Sequence, residues 1–139
     1  MEIIANALQT VEANQNVLFT DTVVCGNSSM VHRDGSGLVT LRGLTHQCRA
    51  RFKVFFSGNI ALPTDGTVEA ISLAISINGE PVASSTMIVT PAAVEEFFNV
   101  ASAVYLDVPA GCCTQVGVRN ISTQAIDVQN ANLIIERVA

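Results

Sequence analysis

The chain has 139 residues, 49% of them hydrophobic and only 14% charged, and its seven Lys+Arg against twelve Asp+Glu give a net charge of −5. At 14.7 kDa, with a mean hydropathy of +0.42, it fits one domain over residues 1–139 with a folded surface of ~6,900 Å². Intrinsic disorder is excluded by the apolar content, and the acidic balance excludes nucleic acid as an expected partner.

The N-terminus, Met1-Glu2-Ile3-Ile4-Ala5-Asn6, carries an acid where a signal peptide has a basic region. The expectation is a chain made in the cytoplasm without a leader. Turn residues then recur at short intervals: Asn14-Gln15-Asn16, Gly26-Asn27-Ser28-Ser29, Asp34-Gly35-Ser36-Gly37, Ser57-Gly58-Asn59, Asp65-Gly66, Asn78-Gly79, Pro109-Ala110-Gly111 and Gln129-Asn130. That rhythm belongs to an all-β sandwich or barrel.

Val17-Leu18-Phe19 reads as an early strand. Over residues 48–56, Cys48, Ala50, Phe52, Val54 and Phe56 share one face while Arg49, Arg51 and Lys53 share the other, a period of two that means strand. Residues 71–77 place Ile71, Leu73, Ile75 and Ile77 on a core face. Ala70, Ser72, Ala74 and Ser76 lie opposite, small and uncharged, as if covered by a second layer or another chain. Asn78-Gly79 is the preferred pair for a type I′ hairpin into residues 82–89, and Glu80-Pro81 suggests a longer or bulged connection because proline donates nothing to the ladder. Uncharged stretches such as residues 81–94 fall short of the ~18 apolar residues of a membrane span. Residues 91–96 form a turn. The segment after them fits helical spacing through Val94, Phe97, Phe98, Ala101 and Val104, but its β-branched content favours a strand over residues 98–108. A last strand covers residues 126–138, and both it and the 98–108 strand are expected to be buried on both sides.

The chemistry-bearing residues are sparse. His32 and His46 sit in no catalytic signature, and a pairing of either with Cys25 or Cys48 is better read as loop histidines. Gly35-Ser36-Gly37 reads as a turn, and it lacks the glycine spacing and Lys of a phosphate cradle. The carboxylates are scattered along turns and strand edges, and Asp21, Asp34 and Asp65 lack the rhythm of a calcium loop. No cofactor, metal ligand set or catalytic residue is expected. Vicinal Cys112-Cys113 points to opposite faces of a strand, and a disulfide from Cys112 or Cys113 to Cys25 or Cys48, within or between chains, is one expectation. Two N-x-S/T matches, at Asn27 and Asn120, are short enough to arise by chance. Arg49, Arg51 and Lys53 form the one concentrated charge feature, a stripe that either faces solvent or meets acidic side chains of a neighbouring subunit or an anionic partner.

The order of these motifs resembles the TNF/C1q-like jelly-roll family, in particular its bacterial and phage members and the C-terminal heads of spore-surface collagen-like proteins. The likeness is carried by Val17-Leu18-Phe19, by residues 49–56, by residues 71–81 with their Asn78-Gly79 hairpin, by Leu106-Asp107-Val108-Pro109-Ala110-Gly111, and by residues 131–138. It implies an antiparallel jelly-roll β-sandwich, a homotrimer and no enzyme. The expected function is a structural or adhesive knob on a virion, as a capsid decoration or fibre tip, with a capsid or surface protein, host glycan or receptor as partner. A carbohydrate- or ligand-binding module and a spore or cell-surface component are the alternatives. A cupin-like enzyme is disfavoured by the shortage of histidines and convergent acids. Candidate interface or ligand contacts are Arg49, Arg51, Lys53, Asp34, Asp65 and Tyr105.

Overall fold

Residues 1–111 and 113–139 are described by a computed structural model. Among them the strands are β1 (Glu2–Ala5), β2 (Gln9–Val11), β3 (Asp21–Val24), β4 (Met30–His32), β5 (Val39–Arg42), β6 (Arg49–Ala61), β7 (Ile71–Ile77), β8 (Glu80–Pro81), β9 (Met87–Val89), β10 (Phe98–Pro109), β11 (Cys113–Asn120) and β12 (Ile126–Arg137). Two sheets result, ordered β10-β6-β12-β1-β3 with β2 also on β12, and β4-β5-β11-β7-β8 with β9 also on β7. Every ladder is antiparallel. No helix among the described residues is long and apolar enough to cross a membrane, and the exposed surface is 6848 Å².

The core lies between the sheets and follows the alternation. Ala50, Phe52, Val54, Phe56 and Ile60 of β6 and Leu133 and Ile135 of β12 are fully buried against Ile71, Leu73 and Ile75 of β7, Val116 and Val118 of β11, and Val39 and Leu41 of β5. Phe19 closes the cluster, edge-on to Phe56 with ring centroids 6.5 Å apart. Val17 and Phe19 are as buried as expected, yet they are not a strand. Val17 donates its N–H to the Val118 carbonyl at 2.8 Å, and Phe19 donates to the Ser36 carbonyl at 3.2 Å and accepts from the Gly35 N–H at 2.8 Å, but the one strand-type bridge here among the described residues joins Asn16 to Arg119. The segment is a crossing connection that contributes side chains rather than a ladder.

Several expected boundaries move for identifiable reasons. Cys48 lies outside β6 and is exposed. Ser57-Gly58-Asn59 is no turn, since β6 runs straight through it. A Cβ at Gly58 would come within 3.1 Å of the Phe56 ring, so a larger residue there requires that ring to shift. Gln129-Asn130 is also no turn but a bulge inside β12, where the register against β6 shifts between Gln129 and Asn132 and Asn130 takes a φ of 57°. Its effect is to change the buried set from Ile126 and Val128 to Ala131, Leu133 and Ile135.

Neither β10 nor β12 is buried on both sides. Ala101, Ala103, Tyr105 and Asp107 of β10 are exposed, as are Ile134 and Glu136 of β12, because nothing within the chain lies over the outer face of their sheet. The 98–108 segment is a strand and not a helix, and residues 91–96 turn as expected. The face opposite the β7 core is covered only toward the hairpin: Ala74 and Ser76 are buried, whereas Ala70 is exposed. Cover comes from the chain itself. Gly117 pairs with Ser76 and has the Gly37 carbonyl so close that a Cβ would sit 2.8 Å from it, while Arg119, opposite Ala74, reaches the Gly79 carbonyl at 2.7 Å.

At Asn78-Gly79, φ values of 52° and 85° fit the type I′ turn, and Ile77 pairs directly with Glu80, so the connection is tight rather than long. The interruption comes one step later. After Pro81 the 3₁₀ turn Ala83–Ser85 inserts extra residues before β9 rejoins β7, and the buried Ser85 hydroxyl fills the gap by accepting from the Ile75 N–H at 2.9 Å and donating to the Val82 carbonyl.

Asn120 is the buried polar joint of the fold. Its amide nitrogen donates to the carbonyls of Val11 and Gln124, both at 3.0 Å, and its amide oxygen accepts from the Ser122 N–H at 2.9 Å. This full occupancy and burial also remove Asn120 as a glycan acceptor. Asn120→Ala leaves three backbone groups without partners, and the expected loss is on the order of 3 kcal/mol. Urea unfolding of the two proteins measures it; a midpoint unmoved by the substitution would contradict the role.

Candidate functional site

The stripe Arg49, Arg51 and Lys53 lies on the outer face of the β10-β6-β12 sheet because core residues take the alternate positions of β6. The register of β10 against β6 then sets Asp107 opposite Arg51 and Tyr105 opposite Lys53. Asp107 is the centre of the arrangement. Arg51 holds it through two bonds, Nε to Oδ1 at 2.8 Å and an Nη to Oδ2 at 3.3 Å, and Arg49 Nε approaches Oδ2 at 3.1 Å. One carboxylate thus answers two of the three cations within the chain. Lys53 lies across from Glu136 of β12, and with Phe55 and Ile134 these two line a shallow groove of about 160 Å³.

Beside the cluster is a larger groove of about 500 Å³, lined by Arg51, Tyr105, Leu106, Asp107, Val138 and Ala139. Tyr105, the only tyrosine of the chain, is 65% exposed there. The Arg51 hydrogen bond, with the charges of Arg51 and Arg49 behind it, holds the Asp107 carboxyl below the ordinary carboxylate value, against a smaller opposing effect of lost hydration. The same contact raises Arg51. Exposed pairs of this kind add little to stability; their effect is to hold two guanidinium groups and one carboxylate in fixed relative positions.

Sequence analysis named Arg49, Arg51, Lys53 and Tyr105, and the fold brings these four together. Asp107, the acid that organises them, was missed, although an acid on the outward phase of an otherwise apolar strand was the available signal. Asp65 lies in the loop after β6, at the end of that strand opposite Arg49. Asp34 lies by the other edge of the sheet, accepting from the Thr22 hydroxyl at 2.8 Å and standing 3.7 Å from His32 Nδ1. His32 has a fully buried side chain with Nε2 at 3.0 Å from the Ser36 carbonyl and Nδ1 at 3.4 Å from Thr22 Oγ1. It lines a groove with Cys25, but its ring nitrogens are engaged elsewhere. His46, Cys25, Cys48 and Cys113 are exposed, and Cys112 lies outside the described residues. Among the described residues, no three His, Cys, Asp or Glu side chains converge on a metal position.

No protein-family model and no curated protein sequence matches the chain. Solved structures do. The globular domain of zebrafish complement 1qA protein aligns over 96% of this chain and 93% of its own length, at 14% identity and a TM-score of 0.61. The Eiger TNF of S. frugiperda aligns over 100% of this chain and 92% of its own, at 12% identity and a TM-score of 0.69. The fold is therefore the TNF/C1q-like jelly-roll sandwich anticipated from the motif order, and at these identities the likeness defines the fold alone.

The depressed value of Asp107 has a definite pH signature. Whatever the cluster contributes is complete above the ordinary carboxylate pKa of about 3.9 and fades as pH falls through the lower folded value. In a carbon-detected NMR titration, the Asp107 carboxyl midpoint lies below that reference, and Arg51→Gln moves it back up. A midpoint at the reference value in the unsubstituted chain would show that the pairing does not persist in solution.

Proposed function

We propose that the chain is a non-enzymatic structural module that closes into a homotrimer and forms a knob on the outside of a particle. The particle is a virion of phage or prophage type, with the knob as capsid decoration or fibre tip. One observation carries the assembly: a row of residues crosses the uncovered outer face in register, Ala103 on β10, Phe55 on β6, Ile134 on β12, Glu2 on β1 and Val24 on β3. Val24 is 52% exposed and Ile134 37%. Glu2, the only charge in the row, has its carboxylate bonded to the Asn132 amide at 2.6 Å. The adjoining edge strand β10 presents Ala101 and Ala103, small enough to let another backbone approach closely.

An apolar band on a sheet face is what an isologous or cyclic interface needs, and a charged content of 14% fits a chain whose outer faces are covered by copies of itself. The mechanism would be geometric, with the band buried about the threefold axis and the loops around Asp34 and Asp65 left to meet a capsid or surface protein. A spore or cell-surface setting would use the same assembly.

Sedimentation equilibrium at micromolar concentration should give three times the 14.7 kDa chain mass. Ile134→Asp, which puts a carboxylate into the band, should give the single-chain mass with an unchanged β-type circular dichroism spectrum. A single-chain mass for the unsubstituted protein would end the trimer reading, and absence of the chain from purified particles of its source would end the virion placement.

A further inference from the structure

The groove beside Asp107 lies on the same outer face as the apolar row, further along β10 and β6, and carries the charged groups of that face. Arg49 stands outside the groove's lining, against Asp107, with 61% of its side chain exposed, and among the described residues its one polar partner is Asp107, reached from Nε. Its two terminal nitrogens therefore remain available, in the planar fork that receives a carboxylate through two parallel bonds. Asp107 has 37% of its side chain exposed and is held by Arg51 and Arg49 at three of its roughly four acceptor positions, which leaves one for a hydroxyl group. Tyr105, two residues earlier on the same face of β10, adds a flat apolar ring with most of its surface in solvent.

Each component narrows the ligand. A phosphate dianion would meet stronger repulsion from Asp107 than a single carboxylate does, and it brings no apolar face to Tyr105. A neutral sugar would satisfy Asp107 and the ring but leave Arg49 unanswered. An aliphatic acid would satisfy Arg49 but bring no hydroxyl to Asp107. A pyranose bearing one carboxylate meets all three, laying a C–H face on Tyr105, one hydroxyl toward Asp107 and its acid outward to Arg49 beyond the groove's lining. A groove of about 500 Å³ has room for one or two rings. The local surplus of positive charge, Arg49, Arg51 and Lys53 against Asp107 and Glu136, stands out in a chain of net charge −5.

We propose that the groove between Tyr105 and the Arg49–Asp107–Arg51 cluster binds a carboxylate-bearing saccharide of the uronic-acid or sialic-acid class. It rests on the reading of the chain as a non-enzymatic surface module, and it requires that the Tyr105 end of the outer face stay open when copies of the chain assemble. Arg49 and Tyr105 are the contact residues; Arg51 acts by positioning Asp107.

The test is isothermal titration of the full chain with trigalacturonate and with N-acetylneuraminic acid, using maltotriose as the neutral control. At least one acidic ligand should bind about tenfold or more tightly than maltotriose. Tyr105→Ala and Arg49→Gln should each weaken it by about tenfold, Tyr105→Phe should retain it, and Arg42→Gln, on the other sheet, should leave it unchanged. Equal affinity for maltotriose overturns the proposal, as does no saturable binding below ~10 mM or full binding by both groove variants. Sedimentation of the same samples separates this from the assembly. Single-chain mass with acid-saccharide binding intact upholds the groove and removes the trimer, whereas a change of mass in Tyr105→Ala without a change of affinity assigns Tyr105 to the interface and overturns the groove.

Discussion

The uninterrupted alternation of β6 is the constraint on which the rest of the molecule depends. Thirteen residues in one unbroken strand give a side chain to each face in turn. The inner set, from Ala50 to Ile60, supplies the centre of the hydrophobic core, and the outer set places three cations and Phe55 on the exposed side. Both neighbours take their register from it: β10 pairs along its length, and β12 pairs on either side of a one-residue shift. The position of Asp107 over Arg51 is therefore a product of the same pairing that buries Phe52 and Leu106. Core and candidate site are two sides of one ladder.

That coupling explains what was legible in the sequence. Alternation in residues 48–56, 71–77 and 98–108 identifies strands because each has one face committed to the core, and Asn78-Gly79 identifies a turn because both residues must adopt positive φ. The basic stripe is legible for the same reason, being the complement of the buried face. What could not be read is anything that depends on which strand lies beside which. Asp107 gains its meaning only from the register of β10 on β6, a contact between residues 56 positions apart.

The misread segments share a different cause. Ser57-Gly58-Asn59 has turn composition, but its glycine answers to the Phe56 ring, a packing demand invisible in a local window. Val17 and Phe19 are correctly inward, yet their backbone crosses between the sheets instead of pairing along an edge. Two-sided burial of β10 and β12 was expected from a second sheet together with neighbouring protomers; the second sheet covers one side, and the single chain leaves the other open. The chain leaves that face open, with an apolar row and a charged end side by side in solvent.

The bulge at Asn130 has a consequence for how such a sequence can change over time. Downstream of it, each residue of β12 owes its inward or outward direction to a single extra position. Substitutions along Asn132, Ile134 and Glu136 alter only a surface, and many are tolerable without touching the interior. Straightening the bulge with every residue kept would exchange the two sets, sending an amide, an isoleucine and an acid into the space now filled by Ala131, Leu133 and Ile135, whereas loss of Asn130 itself would set Val128 and Ala131 two positions apart and leave both sets in place. Descendants of this chain are free to diversify the outer face by replacement, and loss of the one extra residue at the bulge is a change of length that the terminal strand can absorb.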